Sequence, residues 1–191
     1  MRSEKMNRKV RYTKMVLKES FIRLMKKKAF QRITITEICE DADINRATFY
    51  AHYTDQYDLL RQIEQELVGD INHYLGNYLF NENESEFLQM LEKIFEYIKE
   101  NAEVCSVLLS ENGDRNFQKD VMMIVRNQCI AEWTSKKSIP EEAAQYLYSY
   151  VANGSVGIIL QWLRNGMEKS THDMAVMVSK LTNQGLSAFV S

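Results

Sequence analysis

The 191-residue chain has one proline and seven glycines. That is too few turn-formers for an all-β fold built on many tight turns. It has three cysteines, Cys39, Cys105 and Cys129, widely spaced and without a CxxC pair. An odd, scattered set of thiols excludes a disulfide framework and points to a reduced, cytoplasmic setting. No apolar run approaches the roughly 18 residues of a membrane span; Gly154 to Leu160 is typical of the longest. The basic N-terminus is not followed by the apolar stretch of a signal peptide. Signatures of catalysis are also missing. The three histidines, His52, His73 and His172, are far apart, and there is no HExxH, GxSxG or phosphate-cradling glycine loop. The expectation is a protein that is not an enzyme and holds no metal or cofactor.

Hydrophobic residues make up 45% of the chain, enough for a core, and their spacing is helical throughout. Val10, Leu17, Phe21 and Leu24 form one stripe, closed by the cations Lys26 to Lys28. Thr34-Ile35-Thr36-Glu37 is a capping-box pattern that opens a short helix with Ile35, Ile38 and Ala42 inward. A turn at Asp43-Ile44 follows. Asn45 caps a second short helix running to about Tyr53, and Asp55 caps a long one with Leu60, Ile63, Leu67, Ile71, Tyr74 and Tyr78.

Beyond a break at Asn81-Glu82-Asn83, Leu88, Leu91, Phe95 and Ile98 mark the next helix, and Asn101 is placed to cap a shorter one. Phe117, Val121, Ile124 and Val125 lie on a helix over about 115–134, which Ser135-Lys136-Lys137-Ser138 breaks. Pro140 suits the first position of a helix ending at Gly166. Ser170 or Thr171 caps the last, with Met174, Met177, Val178, Leu181 and Ala188. The fold class is all-α, with about nine helices.

Charge divides this chain. Residues 1–53 carry 13 Lys/Arg against 6 Asp/Glu, and residues 54–191 carry 11 against 20. A basic head suits a polyanion and an acidic body does not. The plain alternative is a solvated helix face with a basic tail.

Two short helices joined by a tight turn after a longer helix make a helix-turn-helix, whose second helix lies in the DNA major groove. The text from Ile35 through Ala42, Thr48-Phe49-Tyr50 and His52-Tyr53 to Leu59-Leu60 resembles the DNA-binding head of the TetR family of bacterial transcriptional regulators. The resemblance covers about residues 10–60. It implies a homodimer, a divergent helical body for a small-molecule effector, and an operator captured or released under that effector's control. The division expected is residues 1–54 for DNA binding and 55–191 for ligand binding and dimerisation.

The residues suit that role. Arg46, in the first turn of the recognition helix with Asn45 and Ala47, can grip guanine O6 and N7. Thr36 is placed to reach a base or a phosphate. Thr48 and Tyr50 offer hydroxyls, and His52 and the caps at Thr34 and Asp55 can donate to phosphates. Phe49, Ile44 and Tyr53 pack the head instead.

Three positions depart from the family pattern: Asp43 for the usual glycine in the turn, Ala29 for another glycine, and Gln56 where a phosphate-binding Lys is common. Asp tolerates positive φ at modest cost. The tail (Arg2, Lys5, Arg8, Lys9, Arg11) is placed to compensate for Gln56 by reaching the DNA backbone or minor groove. It is expected to be disordered without DNA.

In the body, Ala152, Gly154, Ser155 and Gly157 interrupt an apolar helix, where each mid-helix Gly costs roughly 1 kcal/mol against Ala. Close approach of another helix explains them, from the same chain or from a partner. The resemblance implies that the last two helices pair with a second copy, through Ala152, Ser155, Gly157, Ile159, Trp162, Met174, Met177 and Leu181. Trp162 to Gly166 followed by Ser170 to Met174 also resembles the body of a Gram-positive subgroup. Tyr97, Phe95, Cys105, Met122, Trp133, Tyr146, Tyr150 and Asn153 are ligand-pocket candidates, mixing aromatic area with polar handles. Each one alone reads more readily as core by pattern. Two other readings stay open: an activator controlled by a partner protein, and a helical interaction module that never touches DNA.

Overall fold

The computed structural model describes residues 2–77, 84–135 and 138–187. Among them there are nine α-helices, one 3-10 turn and no strand. The helices are α1 (Arg2–Met25), α2 (Ile35–Ala42), α3 (Arg46–Tyr50), α4 (Gln56–Asn77), α5 (Glu84–Glu100), α6 (Ala102–Leu108), α7 (Arg115–Ser135), α8 (Glu141–Arg164) and α9 (Thr171–Ser187). Tyr78, the Asn81-Glu82-Asn83 break, Lys136, Lys137 and Ala188 lie outside the described residues, as do the side chains of Arg2, Lys5, Tyr74, Ile124 and Val125.

Local chemistry sets most boundaries. Thr34 caps α2 in a full capping box, its hydroxyl accepting from Glu37 N while the Glu37 carboxylate accepts from Thr34 N. Asp43 takes the left-handed conformation at φ 52°, and Ile44 N returns to Cys39 O at 2.9 Å, so the turn forms without glycine. Asn45 Oδ1 accepts from Thr48 N at 2.8 Å and starts α3. Asp55 Oδ1 does the same for Asp58 N at the start of α4. Ser170 Oγ accepts from Asp173 N at the start of α9. At the end of α8, Gly166 sits at φ 68° and Met167 N reaches Trp162 O at 3.0 Å, a Schellman closure. Gly113 is required for a different reason: a Cβ there would lie 2.2 Å from Leu108 O.

Four local expectations are corrected. α3 stops at Tyr50 rather than Tyr53, because Phe49 and Tyr53 are drawn into the core and the chain turns toward α4. Pro140 is the N-cap, one residue before the first helical position. Asn101 does not cap α6 with its side chain; its Nδ2 donates back to Tyr97 O and closes α5. The N-terminal tail is not a coil: α1 begins at Arg2.

The core runs unbroken from head to body. Leu17, Phe21, Ile38 and Phe49 are fully buried in the head, and the same cluster continues through Leu59, Ile63 and Leu67 to Phe95, Trp162 and Met174. Buried Ser20 is satisfied by donating to Ile38 O at 3.1 Å. The C-terminal end of α1 is tied to the body by Lys26–Glu103 at 2.8 Å and by Asn112 Nδ2 donating to Met25 O. A satellite cluster of Trp133, Ile139, Ala144 and Tyr148 holds the α7–α8 hairpin. Burial pushes the Cys105 thiol up to about 12, which keeps it protonated and inert.

Candidate nucleic-acid interface

Five residues suffice for α3 because it is clamped at both ends. Fully buried Phe49 anchors it below, against Tyr53 at 5.6 Å between ring centroids. Asn45 fixes its start, and Thr48 Oγ1 donates to the same Asn45 Oδ1 at 2.9 Å. The opposite face is left to solvent. Arg46, Ala47 and Tyr50 are exposed, and the Tyr50 side chain beside Arg46 favours the charged guanidinium. An open groove of about 560 Å³ runs between α2 and the start of α3, lined by Thr36, Cys39, Glu40, Asp43, Ile44, Asn45 and Arg46. Thr36, Asn45 and Arg46 therefore meet on one surface. A rod with a buried aromatic keel and a projecting guanidinium is the shape a major groove admits.

The other sequence-predicted contacts fare differently. Thr48 and His52 are half-buried, with the His52 ring beside Tyr53. Both Thr34 polar groups are committed to Glu37: its N–H and its hydroxyl each donate to Glu37 Oε2 at 2.9 Å. Glu37 in turn pairs with Lys28 at 2.6 Å. That hydrogen bond to Lys28, followed by those from Thr34, holds the Glu37 carboxyl down at about 2. The Thr34 cap is thus committed to an ionised carboxylate that is itself paired with Lys28, and its N–H and hydroxyl are not free donors for phosphate. The start of α4 is similar. Asp58 Oδ2 accepts from Thr54 N at 3.0 Å, and Gln56 brings no charge. Tyr57, exposed next to Gln56 with its ring edge-on to Phe30, offers a hydroxyl that sequence reasoning missed. Its place one residue after the first position of the long helix was the available signal.

In the body the pocket candidates separate. Tyr97, Phe95 and Cys105 are buried in the main core, where Tyr97 Oη donates to Asp70 at 2.8 Å. Trp133 belongs to the satellite cluster, and Met122 lends its carbonyl to the Tyr148 hydroxyl. Tyr146 and Tyr150 are 72% and 70% exposed, and Asn153 is exposed too, so these three do not line an interior pocket. The pairing candidates also divide. Trp162 and Met174 are buried within their own chain, the indole packing on Phe95 and donating to Lys169 O, so neither is free to meet a partner. Met177 and Leu181 are exposed, and nothing lies within 4 Å of a Cβ placed on Gly154 or Gly157. Ala152, Ser155 and Ile159 are half-buried.

One half-buried group was not foreseen. Glu64 on α4 has an Oε1 with no hydrogen-bond partner, and burial, followed by Asp114 and Asp120, raises its carboxyl to about 7. Among the described residues, no His/Cys/Asp/Glu group is arranged to hold a metal, and no helix is long and apolar enough to cross a membrane.

Residues 85–184 match a TetR-type family model described as the transcriptional regulator C-terminal region. The HTH-type transcriptional regulator YxbF of Bacillus subtilis strain 168 is 24% identical over 175 residues, 88% of this chain and 44% of YxbF. DhaS of Lactococcus lactis, an HTH-type activator of the dhaKLM operon, is 32% identical over 68 residues, 34% of this chain and 36% of DhaS. The chain thus spans less than half the length of the curated relatives it matches. The crystal structure of a TetR transcriptional regulator from Streptococcus agalactiae 2603V shares the fold, with a TM-score of 0.64 at 19% identity, covering 94% of this chain and 98% of that one.

Proposed function

The chain belongs to the TetR family of transcriptional regulators, and from that premise we propose that it binds a palindromic DNA operator as a homodimer and releases it on binding an effector. Regulators of this family are not enzymes. Residues 1–54 carry the DNA contact and residues 55–191 the effector and the pairing surface. Arg46 reads a guanine edge, with Thr36, Asn45, Ala47 and Tyr50 on the same surface. Thr48, His52, Gln56 and Thr34 serve more as supports than as readers. The observation that carries the reading is the exposed Arg46 on a rod anchored by buried Phe49.

Pairing uses α8 and α9. Tyr146, Tyr150, Gly154 and Gly157 fall at helical spacing on one uncovered face of α8, and Met177 and Leu181 are uncovered on α9. Apolar area of this kind is stabilised by a symmetric mate. Tyr146, Tyr150 and Asn153 thereby move from the pocket to the pairing surface. The effector is a small molecule held in the body, with Tyr97, Cys105, Met122 and Trp133 as the remaining candidates. Repression follows if the operator overlaps a promoter. Activation is the second reading, supported by the activator DhaS among the relatives.

Arg46→Ala tests the first claim. It should lose roughly 1–3 kcal/mol of preference for a selected duplex over a scrambled one while its helix content stays unchanged. Undiminished preference in a binding titration would remove Arg46 from base reading.

A further inference from the structure

α4 is held from two sides. On one, Lys14 and Lys18 of α1 reach Gln62 Oε1 at 3.4 Å and Glu66 Oε2 at 2.8 Å. Glu64 lies midway between those two residues, about 200° around the helix from each, and so faces away from α1. It is half-buried, and its Oε1 is enclosed and meets no hydrogen-bond donor. The charges that bear on it are two further carboxylates, Asp114 just before α7 and Asp120 on its second turn, and Arg61, one turn back on α4. Arg61 is largely in solvent and turned to Asp58 at 3.7 Å. The cations that α1 sends toward α4 are engaged on the other face. Three carboxylates therefore share the α4–α7 seam. An ionised Glu64 there is repelled by two charges and keeps a buried oxygen without a donor. Burial, followed by Asp114 and Asp120, raises its carboxyl to about 7, so the seam closes around the protonated form.

The early part of α4 also belongs to the seat of α3. Leu59 and Leu60 are buried in the cluster that holds Phe49, and Tyr53, on the short link between α3 and α4, packs on Phe49. We infer that Glu64 is a proton-operated catch between α4 and α7, and that its ionisation loosens α4, unseats α3 and weakens the grip on DNA. This rests on the DNA-binding reading above and adds to it a regulator, the hydrogen ion, that acts away from the DNA surface. The direction follows from linkage. A carboxyl whose pKa is raised while the seam is closed, and ordinary once α4 is loosened, favours the closed form at low pH. That preference is lost as pH rises from about 4.5 to 7 and changes no further above.

The test uses the full chain and a duplex recovered by it from a random-sequence library, titrated at fixed salt between about pH 5 and pH 8. Wild-type affinity should fall as pH rises to about 7 and then level off, by at most about tenfold per pH unit for each chain, the limit for one linked proton. Glu64→Gln, which keeps the neutral shape, should remove that fall and hold the affinity of the wild type at low pH. Asp114→Asn with Asp120→Asn, which keeps both side chains as acceptors, should shrink it. His52, half-buried in the head, is unchanged in both variants, so only the part of the fall that they remove is assigned to the catch. Hydrogen exchange, corrected for intrinsic rates, reads the seam without DNA. Residues 60–68 and 115–121 should lose protection between about pH 5.5 and 7.5 in the wild type and keep it in Glu64→Gln. A wild-type affinity that does not fall, a fall of equal size in Glu64→Gln, or equal exchange in the two chains overturns the inference and leaves the DNA-binding reading standing. A wild type that binds no duplex at any pH overturns both.

Discussion

The head and the body are built by the same rule but differ in the charge they carry, 13 Lys/Arg against 6 Asp/Glu over residues 1–53 and 11 against 20 over residues 54–191. In the head, Phe49 and Ile38 are fully buried, and the cations Arg46, Arg8, Lys9 and Arg11 stand exposed alongside Tyr12, Met15 and Tyr50. In the body, Phe95 and Trp162 are equally buried, yet Tyr146, Tyr150, Met177 and Leu181 are left in the open. In the function proposed, the first surface meets a charged polymer and the second an apolar partner. A single continuous core joins them.

The comparison breaks most visibly if either core is emptied. Phe49→Ala should cost about 3–5 kcal/mol and abolish DNA binding, because Phe49 is the buried side chain that seats α3. Phe95→Ala should cost about as much and strike the body first. Denaturant unfolding followed by circular dichroism checks both, and equal stability with wild type would contradict the packing described. The pairing surface is the next lever. A Cβ at Gly157 meets nothing within 4 Å among the described residues, so Gly157→Leu should leave the chain folded and weaken the dimer about tenfold or more by overfilling the contact. Sedimentation at graded concentrations would show it, and an unshifted monomer–dimer balance would move the interface elsewhere.

Smaller effects sharpen the contrast. Thr34→Ala removes the capping box of α2 and should cost about 1 kcal/mol, read as a lower midpoint in the same unfolding experiment. The Glu37 carboxyl, held at about 2 by Lys28 and Thr34, adds stability that is present above the ordinary carboxylate range and lost as pH falls toward 2. Glu64 behaves in the reverse sense. Its pKa is raised to about 7, so the folded state keeps its proton while the unfolded chain ionises, and stability falls as pH rises from about 4.5 to 7. Glu64→Gln should flatten that part of the melting-temperature profile. A profile identical to wild type would mean the carboxyl is already solvated.

The head was legible because its signals are local. Thr34, Asn45 and Asp55 each bond to a backbone N–H three residues on, and such caps can be read from spacing alone. The left-handed Asp43 followed from the same short-range logic. The body was less legible because periodicity shows that a helix has an apolar face without showing what covers it. Tyr146 and Tyr150 look like core by spacing but have no cover within the chain; Trp162 and Met174 looked available for pairing but are buried in it. The N-terminal segment misled for a related reason: a run of cations reads as a solvated tail, while Thr13 and Leu17 bury one face of it and extend the helix.

Two copies of α3, presented by a symmetric pair, are the centre of the account. Selection of duplexes from a random library by the full chain, followed by sequencing, tests it most directly. The account predicts an inverted repeat whose half-sites lie on one face of the DNA, about 34–36 Å or a multiple apart. Enrichment of a single asymmetric motif, or of no motif, would contradict it.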